Sequence, residues 1–284
     1  MKNLLPPLVV AVLGTFAIPA HPQEPAASLS AQASPATPGL RERHPHYEAA
    51  YERRVFHGSG GNEFAYGWLA PVHAEPSKRY PLVICLHGSG GSVKASAVLA
   101  RPEMREKFPA FVMIGEAEEP YEWAENDPIE HPGASQKTPE KLPVLLEAVH
   151  ALLQTEAIDR ARIYITGQSL GGIGTWGAIV RAPELFAAAV PVCGEWNVAD
   201  VPRMAAVPVW AFHGELDNTV PAHFSRDLTA AIIKAGGTAK YTEYPGVGHN
   251  SWLKAYEDME MWEWLFAQHR AASPQLPLQR LRDP

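Results

Sequence analysis

Cysteine is scarce in this sequence, which has only Cys85 and Cys193 among its 284 residues. Two cysteines cannot build the set of bridges that holds a disulfide scaffold, or the paired ligands of a cysteine zinc site. Both lie in apolar runs that are typical of buried strands. We therefore predict that they are free thiols in the core.

Positive charge is also limited. The chain has 24 Lys and Arg residues against 31 Asp and Glu residues, a net charge of -7. An acidic protein has no electrostatic reason to bind nucleic acid or an anionic lipid surface. The sequence also lacks HExxH, closely spaced cysteine pairs and EF-hand loops, so we predict neither a metal nor a cofactor.

The first twenty residues carry a single charged side chain, that of Lys2. The apolar stretch Leu4–Ala20 follows, and small residues then form a cleavage zone, a pattern typical of a signal peptide at residues 1–23. Its prolines and its length do not suit a membrane span, which needs about 20 apolar residues. We expect a secreted or periplasmic protein without stable membrane insertion after cleavage, with an uncleaved anchor as the alternative.

Large apolar residues are nearly missing from residues 24–46, which are rich in Pro, Ala, Ser and Gln. Such a segment cannot bury enough surface to fold, so we predict a disordered linker there and a flexible tail at residues 271–284. Residues 47–270 are predicted to form one domain. The 46% of hydrophobic residues in the chain is sufficient for its core.

The hydrophobic pattern of the domain alternates between strands and helices. Antiparallel strands are predicted at Arg53–Phe56 and Glu63–Pro71. Later strands are predicted at Pro81–Leu86, Phe111–Ile114, Ile163–Thr166, Ala187–Cys193, Val207–Phe212 and Tyr241–Tyr244. Helices are predicted at Leu142–Leu153, Ala222–Ala235 and Trp252–Gln268. This order predicts an α/β fold with a mostly parallel central sheet, antiparallel N-terminal strands and helices on both faces.

The motif with the clearest chemistry is Gly167-Gln168-Ser169-Leu170-Gly171. It follows an apolar strand and precedes a helical segment, which is the context of a nucleophile elbow. Glycines flank the serine because side chains there would clash with the neighbouring strand and helix. We predict that Ser169 is a nucleophile that a neighbouring base must activate, with an ordinary glycine-rich turn as the alternative.

The base and the acid are expected on later loops. His249 lies on a glycine-rich loop after the last predicted strand, where the histidine of a serine, acid, histidine order belongs. Asp217 follows the strand at Val207–Phe212, at the end where open α/β sheets place their sites, and is the predicted acid. Glu215 is the nearest alternative, and Asp200 is a more distant one.

Two backbone N–H groups are needed to hold a developing oxyanion, and we assign them to Leu170 and Ser89. The pentapeptide HGSGG occurs twice, at residues 57–61 and 87–91. Only the second copy follows a buried strand, whereas the first connects two antiparallel strands and is predicted to be a hairpin connection. We therefore place the oxyanion role on the second copy.

Three tryptophans follow strand ends or the predicted base. Trp123, Trp196 and Trp252 are predicted to line the substrate site, because loops at this edge of a sheet tend to carry function. Packing inside the core is the alternative for each of them.

Four segments carry a family resemblance: PLVICLHGSGG, DRARIYITGQSLGGIGTWGAIVRAPELFAAAVPVCG, VPVWAFHGELDNTVP and YPGVGHNSW. Together they resemble secreted esterases related to polyhydroxybutyrate depolymerases and to feruloyl and acetylxylan esterases. They are also similar to the catalytic domain of prolyl oligopeptidases. The resemblance implies an α/β-hydrolase fold with Ser169, Asp217 and His249 as its triad, and Leu170 and Ser89 at its oxyanion positions.

These observations lead us to expect an exported serine carboxylic-ester hydrolase. Its substrate would be a small-molecule or polymer-linked ester, such as an acyl ester of a plant-wall sugar. A peptidase of the prolyl-oligopeptidase type and a polyester depolymerase are the alternatives among enzymes, although the sequence has no propeller domain or polymer-binding module. A binding protein without activity is the alternative outside enzymes, and the sequence leaves the oligomeric state open.

Overall fold

The fold is known from a computed structural model that describes residues 28–30, 50–89, 91, 93–117, 123–124 and 140–270. The predicted signal peptide at residues 1–23 and the predicted tail at residues 271–284 lie outside these ranges. Most of the predicted linker at residues 24–46 does too. Within that linker the structure has one short strand, which the composition did not predict.

One nine-stranded sheet runs through the described part of the chain, in the order β1-β2-β3-β5-β4-β6-β7-β8-β9. Its strands are β1 (Ser28–Ser30), β2 (Glu52–His57), β3 (Glu63–Leu69), β4 (Tyr80–Leu86), β5 (Phe111–Gly115), β6 (Ile158–Gln168), β7 (Ala188–Val192), β8 (Val209–Gly214) and β9 (Ala239–Tyr244). The first three strands and β5 pair antiparallel, and every pairing from β5 to β9 is parallel. The predicted sheet of an α/β-hydrolase fold is therefore confirmed.

Helices follow most of the parallel strands. They are α1 (Lys94–Leu99), α2 (Pro102–Lys107), α3 (Leu142–Thr155), α4 (Leu170–Arg181), α5 (Val201–Met204), α6 (His223–Lys234), α7 (Trp252–Ala255) and α8 (Met259–Ala267). Pro143 falls in the first turn of α3, where its missing N–H has no helical partner to lose. Among the residues that the structure describes, no helix is both long and apolar enough to cross a membrane.

The centre of the sheet is buried on both faces, and β4 shows why its sequence is a continuous apolar run. Leu82 and Ile84 point into one core cluster, which also contains Trp176 of α4. Val83 and Cys85 point into a second cluster on the opposite face. Each such side chain stabilises the fold by about 1.5–3 kcal/mol when it is fully buried, so β4 anchors both layers of helices.

The structure corrects the prediction of one helix over Trp252–Gln268. The chain instead forms α7 and α8, separated by a short break in which Asp258 accepts a hydrogen bond from the backbone N–H of Glu260. An aspartate that bonds to the second N–H ahead of it caps a new helix, which explains the break. The short helices α1, α2 and α5 were not predicted either, because none is long enough to show a helical period.

Both cysteines are buried and free, as the sequence predicted. Burial disfavours the charged thiolate, so it raises the pKa of the Cys85 thiol above its ordinary value. Burial also raises the pKa of the Cys193 thiol to about 12. Both groups are therefore protonated thiols at neutral pH.

Candidate active site

The predicted nucleophile lies between the end of β6 and the start of α4. Ser169 has φ 55° and ψ -121°, a left-handed backbone conformation that a side chain rarely adopts. The backbone on either side of it has almost no room. A Cβ atom on Gly167 would lie 2.2 Å from the carbonyl oxygen of Gly171, and one on Gly171 would lie 2.2 Å from that of Leu86. The glycines therefore permit the sharp bend that presents the serine.

The structure brings the predicted base into contact with this serine. His249 Nε2 lies 2.8 Å from the hydroxyl oxygen of Ser169, although the two residues are 80 positions apart. Its other ring nitrogen, Nδ1, lies 2.7 Å from Oδ2 of Asp217. Because a carboxylate only accepts hydrogen bonds, Nδ1 carries the hydrogen and Nε2 is free to accept the serine proton.

Asp217 is held by four donors. His213 and His249 contact Oδ2, while the backbone N–H groups of Thr219 and Val220 donate to Oδ1 at 2.9 and 3.0 Å. Burial by itself raises the pKa of a carboxyl group, but here these hydrogen bonds outweigh it and hold the pKa of Asp217 well below its ordinary value. The acid is therefore ionised at every pH at which the protein is expected to work.

The alternative acids are engaged elsewhere. Glu215 accepts a hydrogen bond from the backbone N–H of Gly246 at 2.8 Å, and Asp200 accepts one from the indole N–H of Trp196 at 2.9 Å. Asp217 is the carboxylate that reaches the imidazole of His249.

The two copies of HGSGG occupy different places, as predicted. In the first copy, Ser59–Gly61 forms a 3-10 turn between the antiparallel strands β2 and β3. The second copy follows β4 and passes close to the serine, since a Cβ atom on Gly88 would lie 3.4 Å from Cβ of Ser169. Ser89 is the next residue along this loop, and Leu170 begins α4 directly after the serine.

Comparison with known proteins identifies the family. Residues 69–263 match the model of the phospholipase/carboxylesterase family. The chain belongs to this family. The crystal structure of a thermostable esterase is 36% identical with a TM-score of 0.71, over 78% of this chain and 64% of the esterase. The chain thus spans less than two thirds of that esterase.

Two curated proteins are also similar to this chain. A probable carboxylesterase of Oryza sativa subsp. japonica is 23% identical, over 68% of this chain and 80% of the rice protein. An uncharacterized secreted protein of Arthroderma benhamiae is 30% identical over 115 residues, which are 30% of this chain and 12% of the fungal protein. The chain thus has the α/β-hydrolase fold of the phospholipase/carboxylesterase family.

The loop that carries Ser89 is held in place by His87, a residue to which the sequence assigned no role. Its Nε2 accepts a hydrogen bond from the backbone N–H of Ala117 at 2.9 Å, and its Nδ1 donates to the carbonyl oxygen of Gly88 at 2.8 Å. The indole N–H of Trp123 donates to the carbonyl oxygen of His87 at 2.9 Å. A histidine directly after an apolar strand was the available signal.

Two of the three tryptophans that were predicted to line the substrate site are packing residues instead. Trp123 is 0% exposed, and its ring fills the space that Gly115 and Gly174 leave open. Trp196 is 6% exposed and packs in the same way against Gly177. The prediction does not hold for this pair, because glycines opposite them make room for their rings inside the core.

Trp252 differs from the other two. It is partly exposed, and its ring meets the imidazole of His249 edge to face at a centroid distance of 5.3 Å. Its role in binding substrate stays a prediction, and its position beside the base is compatible with that role.

Cys193 lies close to Asp217 and His249, which the sequence did not predict. Its sulfur and the ligand atoms of Asp217 and His249 all lie within 4.8 Å of one another. These three residue types can bind a metal, but the aspartate and the histidine are bonded to each other and the buried thiol is protonated. These three residues are therefore better suited to line the site than to bind a metal ion.

Proposed function

We propose that this chain is an exported serine ester hydrolase that works through an acyl-enzyme on Ser169. The observation that carries the proposal is the continuous hydrogen-bonded path from Ser169 through His249 to Asp217, with contacts of 2.8 and 2.7 Å. A serine hydroxyl is a weak nucleophile until a base accepts its proton, and this path supplies the base and its orienting acid.

In the first half of the proposed reaction, Oγ of Ser169 attacks the ester carbonyl carbon while its proton passes to Nε2 of His249. The oxyanion that forms is held by the backbone N–H groups of Leu170 and Ser89. The carbon–oxygen bond to the alcohol then breaks, and His249 gives its proton to the leaving oxygen. Asp217 stabilises the imidazolium throughout and does not itself take up a proton.

In the second half, His249 removes a proton from water, which attacks the carbonyl carbon of the acyl-enzyme. The bond to Oγ breaks, the proton returns to the serine, and the carboxylic acid leaves. The sum is one ester and one water converted to one acid and one alcohol, without a cofactor.

A fluorophosphonate probe tests the nucleophile directly. We expect the wild-type chain to be labelled and Ser169→Ala to lose both the label and several powers of ten in kcat. Ser59→Ala is the matched control, because Ser59 occupies the serine position of the first HGSGG copy, where its hydroxyl donates to Glu147. Ser169→Ala with an unchanged kcat would falsify the proposal.

For the substrate we propose an acyl ester of a plant-wall sugar or a small aryl or alkyl ester. The partly exposed ring of Trp252 beside His249 supports an aromatic or sugar group at the entrance. Purified enzyme should be compared on acetyl, butyryl, octanoyl, feruloyl and polyester substrates, and on a Pro-containing peptide. A kcat/KM for the peptide above that for every ester would turn the assignment toward a peptidase.

Export is supported by the single charge and the apolar stretch of residues 1–23, and by the similarity to a secreted fungal protein. Expression of the whole chain and of the chain without residues 1–23 tests this proposal. We expect the whole chain outside the cytoplasm and shortened by its leader, and the truncated chain inside. Equal distribution of both forms would contradict export.

A further inference from the structure

We propose that His213 is a positioning residue for the active site, a second histidine that contacts the same carboxylate oxygen of Asp217 as His249 does and helps to fix it. The proposal rests on the function proposed above and adds a residue that neither the sequence motif nor the family match assigns. Its basis is a buried chain of contacts behind the acid.

His213 is 0% exposed and lies near the end of β8, four residues before the acid. Its Nε2 lies 2.9 Å from the carbonyl oxygen of Val220 and 3.2 Å from Oδ2 of Asp217. Both of these oxygens only accept hydrogen bonds, so Nε2 must carry a hydrogen. That hydrogen lies on the nitrogen whose nearer acceptor is the carbonyl oxygen of Val220, and Oδ2 of Asp217 is a second acceptor within contact distance.

The other ring nitrogen of His213 contacts a hydroxyl group, which can either donate or accept a hydrogen bond. Nδ1 of His213 lies 2.8 Å from the hydroxyl oxygen of Ser225, which itself lies 3.2 Å from the carbonyl oxygen of Gly194. With a neutral ring, the hydroxyl donates to Nδ1. With a charged ring, Nδ1 donates to the hydroxyl, which donates to Gly194. Nε2 faces Asp217 as a donor in both arrangements.

The second imidazole completes the set of donors around Asp217. Oδ1 has the backbone N–H groups of Thr219 and Val220, and Oδ2 would have only His249 without His213. A carboxylate oxygen has room for two donors, so loss of His213 would leave Oδ2 less firmly held than Oδ1. Because both imidazoles contact Oδ2 of Asp217, His213 helps to fix the position of Nδ1 of His249.

The same series of contacts continues from Asp217 to the helix that begins directly after Ser169. Gly194 packs so closely on α4 that a Cβ atom there would lie 2.4 Å from the carbonyl carbon of Gly172, three residues after Ser169. The contacts from Asp217 through His213 and Ser225 to Gly194 thus join the acid loop to the helix that presents the serine. A buried, fully bonded network of this kind is suited to hold a site rigid.

A pair of amide variants tests the proposal. In His213→Gln the side-chain amide can replace Nε2 and still donate to Asp217, whereas in His213→Asn the shorter amide replaces Nδ1 and cannot reach the acid. We expect His213→Asn to lower kcat about tenfold to a hundredfold, as removal of an outer hydrogen-bond partner commonly does. KM should stay within about twofold, and His213→Gln should regain most of the rate.

A double-mutant cycle separates positioning from support of the fold. In the Asp217→Ala background, His213→Asn should lower kcat by less than about twofold more, because the residue through which it acts is gone. A full additional loss in that background, or equal rates for the Asn and Gln variants, would overturn the proposal. Ser169→Ala tests the proposed function separately. Failure of the His213 proposal can therefore be distinguished from failure of the proposed function.

If the His213 variants do not fold, an experiment that leaves His213 in place still gives the answer. ¹⁵N-labelled histidine shows in an NMR spectrum which ring nitrogens carry hydrogen, and Ser225→Ala identifies the His213 signals through the change at Nδ1. We expect Nε2 of His213 to be protonated. An unprotonated Nε2 would overturn the proposal, because such a nitrogen cannot donate to Asp217.

Discussion

Arg101 and Glu257 form an ion pair with two parallel contacts, of 2.7 and 2.6 Å, and Lys94 reaches the same carboxylate at 2.7 Å. The two basic residues belong to the segment that follows the Ser89 loop, and Glu257 lies in the break between α7 and α8. The ion pairs therefore join the chain after the predicted oxyanion loop to the chain after His249. Hydrogen bonds from Arg101 and Lys94 lower the pKa of Glu257 to about 2.

This lowered pKa predicts how stability depends on pH. An unfolded glutamate has a pKa of about 4.3, so the stabilisation is fully present above that value and is lost as the pH falls toward 2. Glu257 is about half exposed and solvent screens the pair. We expect Glu257→Gln to lower the free energy of unfolding by about 0.5–1 kcal/mol at pH 7 and by less at pH 3 in urea titrations.

Glu263→Gln is the matched control for that experiment, because Glu263 has a single exposed contact, with Lys107. It should change the free energy of unfolding by less than about 0.5 kcal/mol at either pH. Equal effects of the two substitutions would show that the double contact on Glu257 adds nothing.

The close approach of Gly171 to β4 predicts a steric penalty. A methyl group there would lie 2.2 Å from the carbonyl oxygen of Leu86, and neither backbone can give way without moving the other. We expect Gly171→Ala to lower the free energy of unfolding by about 3 kcal/mol. Gly248→Ala is the control, since the nearest atom to its methyl would be 3.8 Å away, and it should change stability by less than about 1 kcal/mol.

The contacts of Asp217 and Glu215 predict a large loss of kcat for one amide substitution and a small loss for the other. Asp217→Asn keeps the shape of the acid but favours the wrong tautomer of His249, so kcat should fall about 10⁴-fold. Glu215→Gln changes only the contact to Gly246 and should lower kcat by less than about threefold. A larger loss from Glu215→Gln than from Asp217→Asn would exchange the roles of the two residues.

Trp252 and Trp123 should respond differently to replacement by alanine. Trp252 meets His249 at the partly exposed side of the site, so Trp252→Ala should raise KM for aryl esters about twofold to tenfold and leave stability nearly unchanged. Trp123→Ala removes a fully buried ring and should lower the free energy of unfolding by about 3–5 kcal/mol. Kinetics and urea titrations on the same preparations distinguish these outcomes.

Much of the fold was predictable because a parallel sheet covered on both faces needs continuous apolar strands. The positions of Ser169, Asp217 and His249 were predictable for a related reason: each follows a strand, and the carboxyl ends of parallel strands share one edge. Chain order and strand ends were therefore sufficient to bring together three residues that are far apart in sequence.

Other features depend on contacts that no local pattern contains. The role of His213 is visible only when Val220, Ser225 and Gly194 are placed around its ring. Trp123 was assigned to the substrate site because its loop position does not reveal that Gly115 and Gly174 make room for it in the core. The break before α8 did have a local signal, because Asp258 lies two residues before Glu260. The apolar residues on both sides of it continue one helical pattern, so the signal was missed.

The order of the strands also allows the chain to be cut between the predicted nucleophile and its predicted acid and base. Ser169 follows β6, whereas the acid and the base follow β8 and β9, and the turn at residues 205–206 lies between them just after α5. A cut at that turn would leave the hydroxyl on one polypeptide and its proton acceptor on the other. Under the proposed function, neither fragment would cleave esters alone, so recovered cleavage would report that the two fragments had reassembled.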